Sequence, residues 1–279
     1  MNRLFSVLFF LTLFLLPLKS VYPQTAVPYS PTTHSASYAY RSLSPYYVQQ
    51  ENESSCSLAT ITMIVNALLS QTVTNFTPQT QKEVLERSHD RTWTKAVARG
   101  GPGITLNQCA SILKKVLRAY GLHVPRVDVR HVSHPHPSKG LLHKALHLLA
   151  SKKRLRCLLI ANFDQSILIP IGTPVGHFSP LGDYNISSRH VLVMDVDREW
   201  TGPYWVKRSR LLRSLHTVDT DSRIYRGYLA IWIGKRELTK AEYTSPATPQ
   251  CCGIYPQDPI PSSTVPSHRC AAKDIAFHS

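Results

Sequence analysis

The chain has 279 residues, 43% of them hydrophobic, and carries 32 Lys and Arg against 17 Asp and Glu for a formal charge of +15; this is enough apolar material for one substantial domain or two small ones. Its six cysteines are too sparse for a disulfide scaffold and fit no zinc motif. The basic residues fall in short clusters such as Ser151 to Arg156 with no nucleic-acid motif around them, which argues against nucleic acid and for anionic surfaces or small anionic substrates.

Residues 1–24 read as a secretory signal peptide: Arg3 precedes an apolar run from Leu4 to Leu16, and no acidic residue occurs before Glu51. The expectation is export, to a bacterial periplasm, with a membrane anchor by an uncleaved signal as the alternative. Asn52, Asn75 and Asn185 lie in N-x-S/T sequons, and a glycan on Asn52 would crowd Cys56, which favours a periplasm over a eukaryotic secretory route. Residues 25–45, rich in Pro, Ser, Thr and Tyr, read as an extended lead-in. A single catalytic domain is expected over 46–236.

Within it, Ser57 to Ser70 is apolar on nearly every face, as a central buried helix would be. Thr105 to Tyr120 reads as an amphipathic helix: Thr105 and Gln108 have capping-box spacing, and Leu106, Cys109, Leu113 and Leu117 make one stripe before Gly121. A third helix is expected from Lys139 to Lys152. The second half changes period: Cys157 to Phe163, Arg189 to Val196 and Tyr228 to Ile233 are short β-rich apolar runs. Helices first and strands later point to an α+β domain. Residues 237–279 form a Pro- and Ser-rich tail with Cys251, Cys252 and Cys270.

The chemistry centres on Cys56, at the seam between a polar segment and the buried helix. Unpaired N–H groups and the helix dipole favour negative charge there, so Cys56 is a candidate nucleophile. A hairpin centred on Ile186 would set His177 opposite Asp195, close enough for the carboxylate to fix the imidazole tautomer and leave the other nitrogen for a thiol proton. Cys, His and Asp in this chain order, the first on a helix and the others on strands, is the papain-like arrangement. Gln50 then supplies a side-chain amide for an oxyanion.

Taken together, Gln50-x5-Cys56 followed by "SLATITMIVNALL", "GITLNQ", "GHFSPLGDYN", "LVMDVDR" and "YWV" resembles the catalytic domain of phytochelatin synthases and their shorter bacterial relatives. The resemblance covers about Tyr46 to Trp232. It implies a papain-like fold that forms a γ-glutamylcysteinyl thioester from glutathione, releases glycine, and passes the acyl group to water or to another glutathione. It also implies Cys56 as nucleophile, His177 as general acid/base, Asp195 as its orienter and Gln50 as oxyanion donor. Arg226 and Arg198 match family arginines, Arg226 as partner of the glutamyl carboxylate, and Asn162 matches a substrate-side asparagine. The partners implied are glutathione and its metal thiolates, with a homodimer allowed. No cofactor is required, cadmium or zinc entering as part of the substrate. This sequence departs from the family at Ser55, usually aromatic, at Ser57, usually Gly, and at Gln165, usually Arg.

His131, His134, His136, His143 and His147 crowd one basic stretch, and His143 and His147 share a helix face, but no Asp, Glu or Cys joins them; a solvated face is the expectation, and no metal site is assigned. Two other functions fit the same residues: a papain-like peptidase or amidase acting on another envelope peptide, and a non-catalytic metal-binding envelope protein.

Overall fold

The computed structural model describes residues 27–28, 36–169, 173–197 and 202–234, so the expected signal peptide and the tail lie outside the described residues. The chain enters through β1 (Val27–Pro28) and α1 (Tyr38–Leu43). The helix corrects the expectation of an extended lead-in. Ser37 caps it, its Oγ accepting from Tyr40 N at 3.1 Å, and Ala39 and Leu43, four residues apart on one face, are buried in the core.

Next come α2 (Cys56–Thr72), α3 (Gln81–Ser88), α4 (Arg91–Ala96) and α5 (Leu106–Ala119). In α2 every residue from Cys56 to Leu69 is buried, as its all-round apolar sequence demands. The Thr105–Gln108 capping box starts α5, and Gly121 at φ +64° ends it. After β2 (Arg126–His131), α6 runs over Pro135–Leu149, four residues ahead of the expected start, because Pro135 is suited to a first helical turn.

The remaining elements are β3 (Cys157–Asp164), α7 (Gln165–Leu168), β4 (Gly176–Asn185), β5 (His190–Val193), β6 (Tyr204–Lys207), α8 (Arg208–Leu215) and β7 (Gly227–Trp232). The strands form one antiparallel sheet in the order β1-β6-β5-β4-β3-β7-β2. Helix α2 packs along β4, where Thr60 Oγ1 donates to the Phe178 carbonyl at 3.1 Å. A buried N-terminal helix carrying Cys56 on an antiparallel sheet is the expected α+β, papain-like arrangement. Among the described residues, no helix is long and apolar enough to cross a membrane.

The β4–β5 hairpin corrects the register read from the sequence. Asn185 pairs with His190, so the turn lies beyond Ile186, and a bulge at Gly182 sets Leu181 opposite Val193 instead of Val191. The net slip is therefore two residues. A one-residue slip reverses the faces of a strand, whereas a two-residue slip preserves them. Asp195 stays on the face of His177, but as its diagonal neighbour.

Candidate active site

Cys56 is the first residue of α2 and is 8% exposed. The first helical bonds run from Leu58 and Ala59 to the Ser55 carbonyl, at 3.0 and 3.1 Å, which leaves the Cys56 and Ser57 amides ahead of the ladder. The loop leading in is tied down. Asn52 Nδ2 donates to Val97 O at 3.1 Å, Ser54 N donates to Asn52 Oδ1 at 2.9 Å, and Ser54 Oγ donates to Gly101 O at 2.7 Å. A glycan on Asn52 would occupy the nitrogen that makes the first of these bonds.

The two serines flanking Cys56 have partners as well. Ser55 Oγ accepts from Asn52 N at 3.0 Å, and Ser57 Oγ accepts from the buried Trp93 indole at 3.2 Å. The hydroxyl at 57 thus satisfies an indole N–H that would otherwise be buried without an acceptor.

His177 is 3% exposed and its Nε2 lies 2.8 Å from Asp195 Oδ1, so Nδ1 is the nitrogen left for Cys56. Burial works to lower the His177 pKa, but the charge and hydrogen bond of Asp195, with a further contribution from the Cys56 sulfur within hydrogen-bonding reach, hold it well above the ordinary value of 6.5. Phe163 packs edge-on against the imidazole, ring centroids 5.5 Å apart, and fixes its plane. Asp195 is fully buried and lies past the end of β5. Its Oδ1 also accepts from Asp197 N at 3.0 Å, and its Oδ2 accepts from Tyr204 OH at 2.9 Å. A buried carboxylate needs such a shell of donors. Burial, and then the Asp195 charge, push the Tyr204 pKa well up.

Beside His177 opens a cleft of about 420 Å³, lined by Gln50, Glu51, Arg99, Gln165 and Asp197. A larger depression of about 590 Å³ between α4 and α5 holds none of Cys56, His177, Asp195 or Gln50, so its size carries no chemistry. Gln50 joins the two halves of the site: its backbone N donates to Val196 O at 3.0 Å, next to Asp195. Its side-chain Oε1 is buried without a partner, an incomplete hydrogen-bond set at the cleft wall.

Arg226 is 7% exposed. Its Nη1 donates to Val218 O at 2.7 Å and to Thr217 Oγ1 at 3.2 Å, while its Nε is buried with no partner. The Nε and Nη2 edge lies against Gly176, where an added Cβ would come within 3.0 Å of Nη2 and 3.3 Å of Nε. The glycine before His177 thus gives the guanidinium its room.

One other sequence-derived residue is not brought into this group. Asn162 is opposite Phe178 on β3, and so belongs to the pleat face away from His177 and Ser179; its Oδ1 is buried and unpaired. Arg198 lies outside the described residues. The sequence reading gave no role to Tyr204, Asp197 or Ser57, although Tyr204 stands in the quoted "YWV".

The histidine stretch is organised differently. Both ring nitrogens of His131 are engaged, with the Tyr225 carbonyl and with Asn107 Oδ1 at 3.0 Å. His143 faces the Arg208 guanidinium at 2.5 Å and stacks edge-on with His147. Among the described residues, no group of three or more His, Cys, Asp or Glu is placed to hold a metal ion. Cys56, Cys109 and Cys157 are free thiols; burial pushes the Cys109 thiol far up and the Cys157 thiol to about 12, which fits both to packing rather than reaction.

A family model described as phytochelatin synthase matches residues 26–228. Glutathione gamma-glutamylcysteinyltransferase 3 of Lotus japonicus is 27% identical over 190 residues, covering 67% of this chain and 36% of that protein. Glutathione gamma-glutamylcysteinyltransferase 1 of the same plant is 26% identical over 202 residues, 69% of this chain and 35% of its own. Glutathione gamma-glutamylcysteinyltransferase 2 of Arabidopsis thaliana is 33% identical over 81 residues, 29% of this chain and 18% of its own. The match spans little more than a third of the first two relatives.

Proposed function

This chain belongs to the phytochelatin synthase family, and from that premise we propose that it acts on glutathione as a thiol acyltransferase and peptidase. Cys56 Sγ attacks the carbonyl carbon of the cysteinyl-glycine bond while His177 Nδ1 takes the thiol proton. The oxyanion is held by the Gln50 amide and the Cys56 N–H. His177 returns the proton to the departing glycine nitrogen, leaving a γ-glutamylcysteinyl thioester on Cys56. Water or the amine of a second glutathione attacks that thioester, His177 accepts the attacking group's proton, and Cys56 leaves as the thiol.

The observation that carries this reading is the buried His177–Asp195 pair set against a cysteine at a helix start. Arg226 adds support: it is a buried cation with an unpaired Nε, packed on Gly176, a residue of the cleft wall, and a cation there suits the glutamyl α-carboxylate. For the second step we favour water. Gln165 is buried and stands where the family carries arginine, so this position offers no cation to an anionic acceptor. Cadmium and zinc enter as glutathione thiolates, that is, as substrate. From the signal-like residues 1–24, and from the sequon at Asn52 whose glycan would crowd Cys56, we place the reaction in a bacterial periplasm.

The test is incubation with glutathione under reducing conditions, followed by mass spectrometry of the products. Free glycine with γ-glutamylcysteine is the hydrolytic result, and glycine with longer γ-glutamylcysteine peptides is the transfer result. Both must vanish in Cys56→Ala. If wild type releases no glycine, the glutathione reading fails.

A further inference from the structure

Asp195 occupies an awkward place in the sheet. Strand β5 ends at Val193, and the last ladder-like bond on this strand is Met194 N to Pro180 O at 2.9 Å, so the sheet itself does not fix the residue that orients His177. Its neighbours do so instead. Tyr47 OH donates to the Asp195 backbone carbonyl, and Tyr204 OH donates to Oδ2 at 2.9 Å. Oδ1 is shared by His177 Nε2 and Asp197 N, with Ser179 Oγ at 3.5 Å. Among these groups, Tyr204 alone serves Oδ2, whereas three share Oδ1. Tyr204 is 1% exposed and comes from β6, two strands away from His177 across the sheet.

We propose that Tyr204 is a positioning residue for the reaction: by holding Asp195 Oδ2 it sets both where the carboxylate stands and how strongly that carboxylate draws on His177. The phenol is buried against an anion, so it remains a protonated donor across the working range of pH. A hydrogen bond given to a carboxylate stabilises its charge and makes it a weaker base. Without that bond the same carboxylate pulls harder on the His177 N–H and favours the imidazolium. Loss of the hydroxyl therefore moves the His177 titration to higher pH. It also frees the carboxylate to rotate, which detunes the histidine in the chemical step and not in substrate binding.

The variant is Tyr204→Phe, which keeps the ring and its packing. The first measurement needs no substrate: NMR titration of histidine-labelled full-length protein, with the His177 signal identified by its loss in His177→Gln. The expected result is a His177 titration displaced to higher pH in Tyr204→Phe. The second measurement is glycine release from glutathione, with kcat lowered about tenfold and KM little changed, the size set by one hydrogen bond to a charged group. The kinetic arm rests on the glutathione reading; the NMR arm does not, so the two fail separately. A Tyr204→Phe protein with a lower Tm but an unmoved His177 titration overturns the proposal and leaves Tyr204 as packing. An unmoved kcat in an active enzyme overturns it as well.

Discussion

Two histidine neighbourhoods in this molecule have opposite electrostatics. His177 is buried, yet Asp195 holds its pKa well above the ordinary value. His143 is exposed on α6, and its pKa is lowered, first by partial desolvation and then by His147, Arg208 and Arg189. The charged groups that act on His143 are all basic, while His177 has a carboxylate supplied by a neighbouring strand end. What decides is the charge facing the ring, and a count of imidazoles along the sequence is blind to that.

The largest effect should come from making His177 resemble His143. Asp195→Asn keeps the shape and removes the charge, so burial is opposed only by the smaller contribution of Cys56 and the His177 pKa falls below its ordinary value. Glycine release should drop about 10³- to 10⁴-fold. The stability profile should change sign too. In wild type the raised His177 pKa means that the pair's contribution is complete below about pH 6.5 and is lost as pH rises through the raised value. In Asp195→Asn the folded pKa is the lower one, so this group weakens the fold at acid pH and the penalty disappears as pH rises. Urea unfolding at a series of pH values reads both slopes, and parallel profiles would break the comparison.

Arg226 should follow in size. Arg226→Lys keeps a positive charge but loses the fork that lies against Gly176, so KM for glutathione should rise about 10- to 100-fold with a smaller fall in kcat. Equal losses in kcat and kcat/KM would instead place the guanidinium in the chemical step. Ser57→Ala is smaller again. It leaves the Trp93 indole N–H buried without its acceptor, which should cost about 1–2 kcal/mol of stability while glycine release changes little. Thermal unfolding and the product assay together separate these effects.

Much of this site was legible because side-chain periodicity survives errors in register. The hairpin is centred beyond Ile186 and bulged at Gly182, yet the slip is two residues and Asp195 keeps its face. The buried helix after Cys56 was legible because its apolar residues cover every face. What escaped was carried by long-range partners. Nothing local in "YWV" says that Tyr204 meets Asp195, and nothing in "SCS" says that Trp93 needs the Ser57 hydroxyl. α1 was hidden by the Pro- and Ser-rich composition around it, because its two buried apolar residues, Ala39 and Leu43, make too short a stripe to read. β2 escaped because only Val127 and Val129 alternate within charged residues, as suits an edge strand.

The smallest effect runs the comparison in reverse, by giving His143 the carboxylate that it lacks. Arg208 is the first residue of α8, where an acidic side chain is favoured by the helix dipole, so Arg208→Glu should fold normally. The guanidinium facing His143 Nδ1 is replaced by a carboxylate, and the imidazole becomes the donor. The His143 titration should then move to higher pH, the direction in which Asp195 moves His177. The displacement should be modest and should shrink as salt is added, because His143 is exposed and solvent screens the new pair. Glycine release should be unchanged, since neither residue touches the cleft. NMR titration of His143 at low and high salt checks the direction and the screening together. An unmoved His143 at low salt would mean that a facing carboxylate raises a histidine here only where burial shields the pair from solvent.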